Sequence, residues 1–178
     1  MSFAFLGPYH PQIVHTPIVL LIFSAFFGIL ARLMERDWLR KMSVTLLVFG
    51  FLGAFLAVQS GKPAHRVPEH DQGVPERLID DHEMKGEWTM YLSLGALLLA
   101  GIASRLKGGL QSAISLVALL AQILAAVCVG VTAKLGGALV YEHGAHVQVD
   151  GRLVKSANAD KLKGDHDEQR APRGGGRR

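Results

Sequence analysis

The chain has 178 residues but one cysteine, Cys128, with only 7% aromatic and 19% charged residues. A lone cysteine excludes a disulfide framework, a cysteine-rich zinc site and a Cys-x-x-Cys-His haem attachment. Soluble domains carry about 25% charge, so this chain is short of residues suited to face water. It has no Gly-x-Ser-x-Gly elbow, no His-Glu-x-x-His pair and no phosphate-binding glycine loop. A stand-alone hydrolytic enzyme therefore finds no support. His82-Glu83-Met84-Lys85 begins like the zinc motif, but Gly86 stands where the second histidine belongs. No Lys or Arg precedes Arg32, and no small-residue cleavage site follows a short apolar core. The start does not read as a cleavable signal peptide, and the first helix is expected to be retained.

What the chain has is apolar length. Hydrophobic residues make up 49% and mean hydropathy is +0.26. About 20 apolar residues cross a hydrocarbon core roughly 30 Å thick. Four stretches approach that length, at about 13–33, 43–58, 88–106 and from 113 past 133. A helix of a soluble bundle keeps a polar face, and SVTLLVFGFLGAFLAV keeps none. The expected fold is an all-α membrane bundle with helices at about 11–34, 42–59, 75–106 and 112–143. That places a four-helix domain at 1–146 and a flexible basic tail at 147–178, rich in charge and poor in apolar residues.

Orientation follows from Lys and Arg in short loops. The first loop carries Arg32, Arg36, Arg40 and Lys41, and the third carries Arg105 and Lys107. The middle loop, 61–87, sets seven acids against four bases. Both termini and the middle loop are thus expected outside, in a bacterial inner membrane. The formal charge of +4 falls in loops and tail, with no domain to present it to nucleic acid. Small residues at four-residue spacing mark close helix contacts. They are Ala96 with Ala100, and a longer seam of Ala126, Gly130, Ala133 and Gly137, which suits packing within the bundle or a homo-oligomer contact.

The eight histidines are not scattered. His10, His15, His65, His70, His82, His143 and His146 all fall at the outer face, and His166 lies in the tail. Pro75 suits the first position of a helix. His82 then stands about 9 Å above Trp88 on continuous helix, at about 1.5 Å per residue. Tyr141 is an interface anchor, and Gly144 is a C-terminal stop. Neutral imidazole binds iron, copper or zinc, and haem b needs only axial side chains. His10, His15, His82 and His143 are the candidate cofactor ligands. His15 with His82 is the preferred axial pair, with His10 and His143 as a second pair if two haems are held. Glu83 and Glu142 stand next to candidate ligands as hydrogen-bond acceptors or proton relays. His65, His70 and His146 read as surface residues. Lys134 either snorkels outward or pairs with a haem propionate or an outer-loop acid. Cys128 reads as a small apolar core residue.

Several of these residues carry a resemblance. His10-Pro11-x-x-Val14-His15-x-Pro17-Ile18, Ser60-Gly61, His82-Glu83-x-x-Gly86 and Leu135-Gly136-Gly137-x-Leu139-Val140-Tyr141-x-His143-Gly144 are similar to the bacterial membrane family known as domain of unknown function 2231. The resemblance spans about residues 10 to 147 and implies a four-helix membrane protein without an established activity. Related modules joined to c-type cytochrome or Rieske domains imply electron transfer at the outer face. Neither domain is attached here, so the redox protein would be a separate partner. The ending Ala145-His146-Val147 departs from the family's usual Gly-Val-Gly-Val-like close.

Two functions remain in competition at the level of sequence. One is a small b-type cytochrome carrying electrons between a quinol or membrane partner and an external redox protein. The other is a cofactor-free structural or assembly subunit of a larger membrane complex. A metal or proton transporter ranks third, because transporters place polar residues and helix breaks near mid-membrane.

Overall fold

The computed structural model describes residues 4–64 and 72–154. His65, His70, His166 and the stretch 155–178 lie outside the described residues, and so does the expectation that this stretch is flexible. A 3-10 helix at Ala4–Tyr9 leads into α1 (His10–Ile13) and α2 (His15–Met34), followed by α3 (Asp37–Ala64), α4 (Glu76–Ala103) and α5 (Gly108–Tyr141). Two short strands, β1 (Gln148–Val149) and β2 (Arg152–Leu153), close the described chain as an antiparallel pair. The fold is all-α, and its four long helices are each long and apolar enough to cross a membrane.

Local chemistry sets the helix ends. Glu35 adopts the left-handed conformation (φ 51°) that stops α2. Asp37 then opens α3, where a carboxylate favours the positive end of the helix dipole. Pro75 sits just before α4 with extended backbone, one residue earlier than its expected helical place. The helices also overrun the apolar stretches. α3 reaches from Asp37 to Ala64, well beyond 42–59, because polar end residues keep their helical bonds outside the hydrocarbon.

One buried residue from each long helix meets at the centre: Leu21, Leu47, Ala96 and Val129. Only 22–28% of each apolar window is buried inside the protein. Most of every helix therefore turns its apolar side chains outward, as a lipid-facing bundle must. α2 and α3 approach closely at Gly50, where a Cβ would stand 2.6 Å from the Leu21 side chain. The expected seam on α5 is displaced. Its buried positions are Ala118, Gln122, Ala125, Val129 and Leu139, whereas Gly130 faces open space.

Two polar knots tie the bundle. Ser24 Oγ donates to the Ser43 carbonyl and Ser43 Oγ donates to the Ser24 carbonyl, each at 2.9 Å. Gln122 Nε2 donates to both hydroxyls and so joins α5 to the α2–α3 pair. In lipid the competing state leaves such groups unsatisfied. At the other knot, fully buried Gln72 donates to the carbonyls of Gly144 (2.6 Å) and Val154 (2.7 Å). Its Oε1 accepts from the His146 backbone N–H at 2.7 Å. Residues 147–154, which sequence alone assigns to the tail, are thereby folded back as a hairpin onto the end of α5.

Candidate site at the histidine end of the bundle

All four long helices contribute to one cavity of about 500 Å³. Pro17 of α2, Ala57 of α3, Gly86 of α4 and Ala133 of α5 are among its mostly apolar walls. Volumes of about 300–1,000 Å³ are usual for ligand and cofactor sites. Polar groups enter it at a few points, chiefly His10, His15, His82, Glu83 and His146.

His10, at the start of α1, points at the end of α3. Its Nδ1 lies 2.9 Å from Ser60 Oγ, and that hydroxyl spends its own proton on the Ala57 carbonyl at 3.0 Å. The serine therefore accepts, His10 Nδ1–H donates, and Nε2 carries the lone pair of the neutral ring. His82, six residues above Trp88 on α4, repeats the arrangement against α5. Its Nδ1–H donates to the Thr132 carbonyl at 3.0 Å, which again assigns the lone pair to Nε2. The two rings meet across the cavity at nearly right angles (87°), with centres 6.3 Å apart.

Electrostatics keep His10 neutral. Burial foremost, and then the neighbouring His82 and His146, push its pKa down from 6.5 to about 4, against a smaller opposing effect of the Ala57 carbonyl. A neutral imidazole is the form that ligates a metal.

Glycines make room for both rings. A Cβ on Gly136 would stand 2.9 Å from His82 Cε1, and one on Gly61 would stand 3.2 Å from His10 Cε1. Beneath His82, Thr132 Oγ1 donates to the Cys128 carbonyl and Cys128 Sγ lies 3.5 Å from the Lys85 carbonyl. Cys128 is thus a half-buried packing residue of the α4–α5 contact.

The remaining candidates fall in different places. His15 lines the cavity, but it is exposed and donates from Nδ1 to the Pro11 carbonyl at 2.7 Å. His143 is half-buried and is not among the residues lining the cavity. His146, read from sequence as a surface residue, is exposed and also lines the cavity mouth. Its Nε2–H donates to the Ala64 carbonyl at 2.9 Å. The signal for that placement was Gly144. It takes φ 69°, His146 takes φ 60°, and the chain turns back over the site instead of leaving it. Lys134 is exposed and outside the cavity lining, as is Glu142, while Glu83 lines it. Lys62 pairs with Glu87 at 3.2 Å near the same end. Among the described residues no three His, Cys, Asp or Glu side chains stand close enough to hold a bare metal ion.

A family model described as Predicted membrane protein (DUF2231) matches residues 7–149. No curated protein and no solved structure matches the chain. The matched span takes in every long helix and the described cavity.

Proposed function

Because the chain belongs to the family of predicted membrane proteins described as DUF2231, with no activity attached to that description, we propose a role from the cavity itself: a membrane-embedded haem b protein that passes electrons. His10 and His82 would hold its iron. The observation that carries the reading is the facing pair of rings, each held through Nδ1 and each turned so that Nε2 bears the lone pair. Two imidazoles on one first-row metal ion, at about 2 Å from each nitrogen, have ring centres about 6 Å apart. The observed 6.3 Å is of that size.

The donor set suits haem better than a bare ion. Zinc and similar ions take three or four protein ligands, whereas haem iron takes two axial ones and has its other four positions filled by the macrocycle. Iron in such a site supplies one-electron transfer. The protein's part is to hold both rings in one tautomer, to keep water from the apolar walls and to set the potential through the Ser60 and Thr132 hydrogen bonds. The pairing that sequence alone preferred, His15 with His82, gives way in this proposal to His10 with His82. His15 is exposed, whereas the His10 ring stands 6.3 Å from that of His82.

The basic loops between α2 and α3 and after α4 lie at the opposite end from the cavity. With positive charge inside, the cavity belongs on the extracytoplasmic side of a bacterial inner membrane. The electron donor would be a quinol or another membrane protein. The acceptor would be a separate extracytoplasmic redox protein such as a c-type cytochrome or a Rieske protein. The test is a visible spectrum of the detergent-purified full chain, expressed with haem precursor supplied, before and after dithionite. Sharp reduced bands of six-coordinate b-type haem are expected. A flat spectrum would remove the electron-transfer reading and leave the assembly-subunit alternative.

A further inference from the structure

The α2–α3 and α4–α5 pairs share a plan that no single helix shows. α2 packs most extensively on α3, and α4 on α5. A shift of 72 residues takes His10 to His82, and a shift of 75 takes Gly61 to Gly136. Those two shifts are set by the site alone, before any other position is compared.

They then align much more. The 75-residue shift takes Ala57, whose carbonyl lies beside the His10 ring, to Thr132, whose carbonyl accepts from His82. The 72-residue shift takes buried Pro17, Leu21 and Ser24 of α2 to Thr89, Ser93 and Ala96 of α4, all buried. The 75-residue shift takes buried Ser43, Leu47, Gly50 and Ala54 of α3 to Ala118, Gln122, Ala125 and Val129 of α5, all buried. Helical periodicity alone lets several shifts match a buried stripe. It does not make one shift also match histidine to histidine, and the other match glycine to glycine and carbonyl to carbonyl.

Resting on the reading of the cavity as a two-histidine seat, we infer that the bundle is one helical hairpin used twice, and that Gly61 and Gly136 are equivalent positioning residues that seat the facing imidazoles. Each glycine lies one turn beyond Ala57 or Thr132: the Thr132 carbonyl accepts directly from His82, and the Ala57 carbonyl holds the Ser60 hydroxyl that accepts from His10. The missing Cβ lets the ring lie against the helix while Nδ1 reaches inward along it. An alanine at Gly136 meets His82 Cε1 at 2.9 Å, and the ring cannot retreat without stretching its bond to Thr132. The site therefore has one ligand and one glycine from each half.

The test uses the full chain with Gly61→Ala, Gly136→Ala and, as control, Gly130→Ala, whose Cβ would enter open space. The first readout is the imidazole nitrogen NMR spectrum of histidine-labelled protein without haem. Gly136→Ala is expected to shift the His82 resonances, Gly61→Ala those of His10, and Gly130→Ala neither. The second is a rescue, in which Gly136→Ala lowers the melting temperature by several degrees in wild type but has no further effect in His82→Ala. The third is a titration with haemin, which is expected to bind about 10–100-fold more weakly to either glycine variant. If Gly136→Ala fails to fold, His82→Ala/Gly136→Ala is expected to fold and does the same work. Equal damage in both backgrounds, or glycine variants that shift their own imidazole no more than Gly130→Ala does, would overturn the inference. Loss of haemin binding by wild type, with the NMR pattern intact, overturns the haem reading and leaves the seating in place.

Discussion

The rings of His10 and His82 stand 6.3 Å apart, centre to centre, although 71 residues separate them in the chain. They belong to opposite halves of the bundle, and each is oriented through Nδ1 by the last turns of a neighbouring helix. On the proposed haem reading, removing either ring should abolish six-coordinate haem binding. Removing His15 or His143 should leave the reduced bands in place, because one is exposed and the other is not among the cavity's lining residues. Reduced-minus-oxidised spectra of the four alanine variants check this.

His10 makes stability depend on pH with a defined sign. Its pKa falls from 6.5 in the unfolded chain to about 4 in the fold, so between those values the unfolded state binds more protons. Its contribution is fully present above pH 6.5 and is lost as pH falls from 6.5 towards 4. Melting curves of the haem-free protein should show that decline, and His10→Asn should flatten it.

Gln122 should matter more than an exposed ion pair. Gln122→Leu removes the two bonds that link α5 to Ser24 and Ser43 and is expected to cost about 2 kcal/mol, at about 1 kcal/mol for each interhelical hydrogen bond in a membrane. Lys62→Ala breaks a pair whose side chains are 52% and 35% exposed and should cost no more than about 1 kcal/mol, with zero expected at high salt. Unfolding in mixed detergent compares the two.

Gln72 holds the reversal that brings His146 to the cavity mouth. Gln72→Ala strands the Val154 carbonyl and the His146 N–H, each an unsatisfied group worth about 1–3 kcal/mol where buried, while the Gly144 carbonyl keeps its bond from the Val147 N–H. Amide exchange should accelerate across 144–154 and stay unchanged in the centres of α2 to α5.

The four spans were legible because twenty apolar residues have few other homes. Their ends were not, since Asp37 and Lys62 remain helical beyond the lipid while hydropathy reports only the lipid. The clustering of histidines at one end was also legible, from topology and count. The pairing of His10 with His82 was not. It depends on which helices are neighbours and how deep each ring sits, and neither is written in local sequence. The small-residue pattern left Gly130 to packing within the bundle or to a homo-oligomer contact; with Gln122 and Val129 turned inward, the helix phase leaves it outside the bundle's own packing. Gly144 was read as a stop, but its left-handed backbone also reverses the chain, which is how His146 comes to the site.

The most direct measurement is a haemin titration of the purified haem-free chain, alongside His10→Ala and His82→Ala, followed at the Soret band. Wild type should saturate at one equivalent with a six-coordinate low-spin spectrum, and each variant should lose that spectrum. Saturation that survives both substitutions, or no saturation at all in wild type, would contradict the assignment of His10 and His82 as a shared haem seat.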